Sequence, residues 1–552
     1  MSLEFDVVVV GGGISGGLSS AAYLQKAGLK VVVVEKRHEL GTFAPTAEPF
    51  PGVIASLHAC QNWSPISPAV DDLELEKFGF HAIFSRTPQG STHKDGKNVM
   101  LYSDPMATGK SFGRFSKKDG ETAERLQAAM LNNAVDLAEI LFFRPPENNP
   151  AEVLDVAMSL GQAVGIDPDT FSKMSGIELI ENVFESDHIR QTLAVFTVHN
   201  YFGHILSHGQ GAFAVLASLF GLSAAGWNIG GIHTVTHSVN QCFKYHGGVV
   251  LRNCPVEAIL VEDGEARGVR LSPDASLPGE TIYAKKALIS DVGARVTLDL
   301  IGEDVLRGVD PVLASKMKYW KSHYRGGCMS FWVLKDRPTW KSEEWNPDIR
   351  QAADFYQAWD SWDEAKESIM LMQNGVRVDG RNAEFADYGA IDPKGRSPEG
   401  FVMFRSEEPM PYMLTHEGGP ERWDDLRDEI AHNRNEAMEA LAPGFKDKII
   451  QQWVTTPLDV WRYNAAAIGG QIVGGDFSED QWILSRMPYR TGVRKLYMAN
   501  SVWPVAATWM APGYNCATVV AEDVGVRDQS WWSHRPVEWL LRNLGDITVR
   551  PE

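Results

Sequence analysis

The chain has 552 residues, 44% of them hydrophobic, and a formal net charge of −19 at pH 7. That length exceeds what one hydrophobic core usually serves, so two or more domains are expected, with ample apolar material to fill them. The acidic balance leaves no basic stripe for tracking phosphates, which excludes a nucleic-acid surface, and it offers no attraction toward an anionic membrane.

The clearest signal lies in the first forty residues. A valine strand, Val7 to Val10, runs into Gly11-Gly12-Gly13-Ile14-Ser15-Gly16-Gly17, then an alanine-rich helix from Leu18 to Ala27, then a second valine strand, Val31 to Val34, closed by Glu35 and Lys36. Strand, glycine turn, helix and strand in this order make a dinucleotide-binding unit. Gly11 suits the tight turn, Gly13 lets the main chain approach a pyrophosphate, and Gly16 lets helix pack on strand. The N–H groups at the helix start, around Ile14 and Ser15, face the phosphates. Glu35 ends the second strand where ribose hydroxyls need an acceptor. The run from Gly11 to Glu35 is one residue longer than usual, so either Gly11 or Gly12 serves as the first functional glycine.

The five cysteines, Cys60, Cys242, Cys254, Cys328 and Cys516, lack CxxC spacing and read as reduced thiols. The first strand starts too close to the first residue for a signal peptide, so a cytoplasmic location is expected. Pro49 and Gly52 mark a loop leaving the nucleotide unit. From Phe78 to Phe115 the pattern is strand-like and turn-rich, and from Asp119 to about Ala225 it is helical. The apolar stretch Gly211 to Ala225 is too short to span a bilayer and reads as a buried helix, with a membrane-dipping surface helix, and hence peripheral membrane contact, as the alternative.

Further along, a helix from about Thr234 to Tyr245 leads to a strand at Val249, then to a small meander through the Asp263-Gly264 turn, and Ala287 to Ser290 returns to the sheet. A region rich in Trp, Tyr and Phe follows, from Tyr319 to about Tyr412, then a helix from Glu421 to Leu441. Lys495 to Asn500 reads as the last core strand, followed by a loop and a helix from Asn515 to Val524. The fold class is α/β, with a Rossmann-type domain in three segments (1–75, 226–310 and 456–552) and a mixed sheet and helix domain in two (76–225 and 311–455).

These residues resemble the phytoene desaturase-like branch of the FAD-dependent amine oxidoreductase superfamily. The resemblance rests on the N-terminal fingerprint with Glu48-Pro49-Phe50-Pro51-Gly52, on Trp227 to Asp291, and on Thr456-Pro457-Leu458-Asp459 with Gly469-Gly470 and Lys495 to Gly513. It implies bound FAD and redox work on large apolar substrates. It also implies a backbone contact from Val256 to the adenine end, a loop contact at Gly41, and a final flavin loop at Asn500, Ser501, Ala511 and Pro512. Two departures stand out. Thr42 follows Gly41 where the family tends to have a second glycine, and Val505-Ala506-Ala507-Thr508-Trp509-Met510 replaces a glycine-rich stretch, adding bulk beside the flavin.

The expected activity is FAD-dependent dehydrogenation of a hydrophobic terpenoid or aromatic molecule, with hydride passing to the flavin. The electron acceptor, whether oxygen, a quinone or a carrier protein, stays open. A redox-neutral isomerase and a non-catalytic prenyl-binding protein of the GDP-dissociation-inhibitor type are the alternatives. Trp509, Met510, Tyr514 and His233 are the candidates near the chemistry. His204 with His208, and His233 with His237, sit four apart, yet no flanking carboxylate set accompanies them and no metal site is expected. The aromatic run from Tyr319 to Trp362 either lines an apolar substrate pocket or packs a domain.

Overall fold

The computed structural model describes residues 3–59, 61, 63–83, 89–148, 150–200, 203–222, 225–352, 354–392, 396–505 and 509–543, without the side chains of 154, 157, 220, 222 and 391. Two seven-stranded sheets organise it. The first is parallel at its centre, where Leu3–Val10 lies between Val31–Val34 and Thr281–Ser290, with Val249–Leu251 beyond. Val7, Val8, Val9, Val31, Val32 and Val33 are essentially inaccessible. β-branched residues on both faces suit a strand covered by helices on both sides.

The strand Thr281–Ser290 serves two partners. Its first half pairs antiparallel with Glu265–Leu271, which pairs in turn with Val256–Glu262. Its second half takes Leu496–Met498 as a parallel neighbour. One sheet therefore draws strands from the beginning, middle and end of the chain. The last long helix, Ala511–Asp523, which only the short helix Glu538–Asn543 follows, seals this assembly, because Gly513 N–H donates to Ser15 C=O at 2.7 Å. A methyl at Gly513 would lie 2.6 Å from Gly16 O, so only glycine lets this helix reach the turn.

The second sheet runs in the order Ile449–Thr455, Arg325–Leu334, Val402–Pro411, Ala383–Asp387, Asp354–Gln357, Gln89–Thr92, Asn98–Leu101. Trp332, Phe355, Phe385 and Phe404 form a cluster on one face with Trp340 and Phe445. Strand alternation puts Asp354, Tyr356, Glu384 and Arg405 on the other. Trp332, Trp340 and Phe355 thus pack the domain rather than line a ligand pocket.

Several boundaries differ from the sequence reading. Pro105–Gly113 is helical inside the stretch read as strand-like, because Asp104 accepts from Met106 N–H as N-cap and Pro105 starts the helix. The helix expected from Asn515 begins four residues earlier, at Ala511, again with proline in its first turn. Gln210–Leu222 is a helix whose described side chains from Gly211 to Leu219 are buried, which removes it as a surface anchor. Among the described residues no helix is long and apolar enough to cross a membrane.

Candidate dinucleotide-binding site

A cleft of about 370 Å³ opens where the first two strands end, lined by Val10, the glycine turn, Val34 and Glu35. Its position beyond the carboxyl ends of parallel strands is where open α/β sheets receive ligands. Gly11 has φ +94° and donates its N–H to Val34 C=O at 2.9 Å, so it is the glycine of the tight turn. Gly12 N–H donates instead to Glu35 Oε2 at 2.9 Å, and Arg37 N–H to Glu35 Oε1 at 2.9 Å. Burial raises the Glu35 carboxyl above its ordinary value, against the lowering effect of those two backbone donors.

The middle glycine does a different task from the one its motif position suggests. Gly13 N–H donates to Asp291 Oδ2 at 2.9 Å. A methyl at Gly13 would stand 2.3 Å from that oxygen, and one at Gly16 would stand 2.2 Å from Asp291 Oδ1 and 2.5 Å from Ala499 O. The absent side chains make room for a carboxylate of this chain as well as for any phosphate. Gly41, at φ +69°, is likewise a packing glycine, since a methyl there would meet Thr236 Oγ1 at 2.4 Å.

Of the other residues expected here, Ser15, Gly16, Lys36, Val256 and Asn500 line the cleft. Ile14 does not, because its side chain is in the main core, so any contact it makes with a ligand runs through its backbone. Ser501 Oγ accepts from Ala294 N–H at 3.0 Å and caps the neighbouring helix. Ala511 and Pro512 are buried at the start of the last helix.

The run Arg462 to Ala466 forms part of the cleft lining and escaped the sequence reading. Arg37 reaches it twice, with Nη1 donating to Tyr463 O at 2.9 Å and the guanidinium 3.9 Å above the Tyr463 ring. Asn464 Nδ2 donates to Thr42 Oγ1 at 2.8 Å, so the threonine that replaces the family's glycine has a partner. The only sequence signal was the nearby capping box of Thr456 with Asp459, which announces the preceding helix but not where its end points.

The candidates for chemistry are placed differently. Tyr514 packs edge-on against Tyr23 at 5.4 Å and lines a separate surface cleft with Trp532 and His534. Burial pushes its hydroxyl up to about 12, so it is a poor proton acceptor. His233 bonds Ala44 O through Nδ1 at 2.9 Å and meets His237 edge-on at 4.7 Å, and burial lowers its basicity. Neither lines the cleft. Trp509 and Met510 are buried in the main core, Met510 at φ 62° just ahead of the last helix, whereas 506–508 lie outside the described residues.

Cys242, Cys254, Cys328 and Cys516 are free and buried, and Cys60 lies outside the described residues. The expectation that the histidines lack a carboxylate is corrected by Asp476. His204, His323 and Asp476 bring donor atoms within 4.8 Å of one another, a group able to hold a metal ion. His204 Nε2 faces Asp476 Oδ1 at 2.9 Å, while His323 Nδ1 accepts from Arg325 N–H at 3.2 Å.

Comparison with known proteins gives the same outline. Residues 9–73 match the family model of an NAD(P)-binding Rossmann-like domain. A limonene dehydrogenase subunit from Castellaniella defragrans is 24% identical, with 96% of each chain covered. The pyridine nucleotide-disulfide oxidoreductase domain-containing protein 2 of Mus musculus is 25% identical, with 94% of each covered. Hydroxyneurosporene desaturase of Cereibacter sphaeroides is 27% identical over 50% of this chain and 55% of its own. Among solved structures, an oxidoreductase from Methanosarcina mazei superposes with TM-score 0.60 at 13% identity, covering 94% of this chain and all of that one. A putrescine oxidase variant gives 0.58 at 14% identity, covering 96% of this chain and all of that one.

Fold and cleft define an α/β protein built on a dinucleotide-binding Rossmann-like domain, and the relatives it resembles are named as oxidoreductases, a dehydrogenase and a desaturase among them. Its fold is that of the putrescine oxidase and Methanosarcina mazei oxidoreductase structures.

Proposed function

We propose that the cleft binds FAD and that the chain dehydrogenates a hydrophobic small molecule, terpenoid or aromatic, as expected of the phytoene desaturase-like branch. FAD bound here supplies the hydride acceptor. The observation that carries the reading is the glycine turn with Glu35 at the strand end, in a chain alignable over almost its whole length with a limonene dehydrogenase polypeptide. The name of hydroxyneurosporene desaturase supports the same substrate class.

In this reading Glu35 orients the ribose, since its carboxylate is held by Gly12 and Arg37 and still faces the cleft. Arg37, Lys36 and Arg462 add positive charge at the cleft wall. Trp509 and Met510 exclude water beside the last helix, and their bulk favours a substrate more compact than a long polyene. We assign the first sheet to the cofactor and the second to the substrate.

The test is anaerobic titration of the purified chain with terpenes and aromatics of graded length. Bleaching of a bound flavin by one of these compounds supports dehydrogenation. Conversion without net flavin reduction favours the isomerase reading, and a chain that neither carries nor takes up FAD removes the proposal.

A further inference from the structure

Asp291 stands at the end of the strand Thr281–Ser290 and is 8% exposed. Its Oδ2 accepts from Gly13 N–H at 2.9 Å, and Gly17 N–H is a second backbone donor. A methyl at Gly13, Gly16 or Gly17 would fall 2.3, 2.2 or 3.0 Å from its oxygens, so the carboxyl sits inside the glycine turn itself. The same turn opens the helix Gly17–Lys26, and Asp291 lines the cleft beside Gly13, Ser15 and Gly16.

A helix N-terminus favours one negative group near its unpaired N–H donors. Here a side chain of the protein already takes two of those donors. A pyrophosphate brought to the same turn adds like charge within a few ångströms, which opposes an ionised carboxylate. A neutral carboxylic acid removes the conflict, still accepts from the backbone, and presents a hydroxyl donor to an oxyanion.

We infer that Asp291 is a positioning residue that must be in its neutral acid form when a pyrophosphate occupies the cleft, so that flavin retention is coupled to one proton on this side chain. The inference rests on the FAD reading of the cleft. Burial, ahead of every other cause, already raises the Asp291 carboxyl well above the usual carboxylate range, and Glu35 adds to it. The groups facing Asp291 are Glu35 from the end of the second strand, Cys516 from the last helix and the Asn500 amide. Burial pushes the Cys516 thiol up, so it stays neutral. Glu35 works with the opposite sign, because a ribose acceptor improves as it ionises.

The test equilibrates the flavin-loaded full chain across about pH 6 to 9 and reads free flavin by its fluorescence. Retention is expected to weaken as pH rises, by up to about tenfold per pH unit for one linked proton. Asp291→Asn, which keeps the shape and a fixed neutral donor, is expected to flatten the profile, whereas Glu35→Gln, which removes the opposing ionisation, lowers affinity and keeps a profile that falls with pH. Retention that is constant or improves with pH, or a slope unchanged in Asp291→Asn, overturns the inference. Should that variant not fold, wild type in weakly buffered solution at the alkaline end of this range, where the flavin-free side chain ionises, is expected to release about one proton with each flavin lost; release of none there overturns it. A chain with no flavin at any pH sinks the cofactor reading, whereas a yellow protein with a flat profile sinks only the role of Asp291.

Discussion

Asn464 Nδ2 donates to Thr42 Oγ1 at 2.8 Å, tying the last third of the chain to the loop behind the first two strands. Both residues line the cleft, so this bond shapes its wall. Asn464→Ala leaves the hydroxyl without that donor and is expected to cost roughly 0.5–1.5 kcal/mol, or about 2- to 10-fold in flavin retention. Thr42→Gly should cost a similar amount, and the double variant no more than either single one, as for two halves of one contact. Additive losses in flavin-binding titrations would show that the two side chains act separately.

Gly13→Ala tests what the middle glycine accommodates. The added methyl meets Asp291 before any ligand arrives, so the flavin-free chain is expected to lose about 1–3 kcal/mol by overpacking. Asp291→Ser in the same chain should restore much of that loss, since it withdraws the oxygen that clashes. Denaturant midpoints of the flavin-free proteins decide it. A Gly13→Ala chain as stable as wild type would return this glycine to a role toward the phosphate alone.

Trp509 is only 5% exposed and belongs to the main core ahead of the last helix. Trp509→Ala should lower stability by about 3–5 kcal/mol, because an indole-sized cavity opens where the surroundings collapse only in part. Flavin is expected to remain bound, while the set of apolar compounds that reduce it shifts toward longer ones. Thermal melts beside anaerobic reduction with the graded panel separate the two effects. An unchanged compound profile would leave Trp509 a core residue with no bearing on substrate size.

His93 and His58 are buried, and burial, helped by His188 in one case and Arg405 in the other, holds them down to about 3 and about 4. The unfolded chain protonates such side chains near pH 6.5, whereas the folded one keeps them neutral. The unfolded state therefore binds more protons below pH 6.5, and stability falls as pH drops from there toward these lower values. Between pH 7 and 5 the loss is expected to be about 2 kcal/mol for each histidine. His93→Gln should remove one such share, read as a shallower dependence of the urea midpoint on pH. An equally steep dependence in that variant would move the acid lability to other groups.

The sequence by itself determined the Rossmann unit, the α/β class and the strands drawn from three stretches of chain. These are matters of short range: four consecutive valines, a glycine at positive φ and an acid at a strand end act through local backbone preference and burial. Only the tertiary structure decided that Asp291, 278 residues from Gly13, takes the glycine turn's N–H group, and that Asn464 reaches Thr42. It alone turned Tyr514 onto Tyr23, away from the cleft, and set Asp476 beside His204 and His323. The direction a helix or loop side chain takes depends on which distant neighbour fills the space beside it, and close packing leaves few alternatives. Periodicity along the chain carries no record of that neighbour.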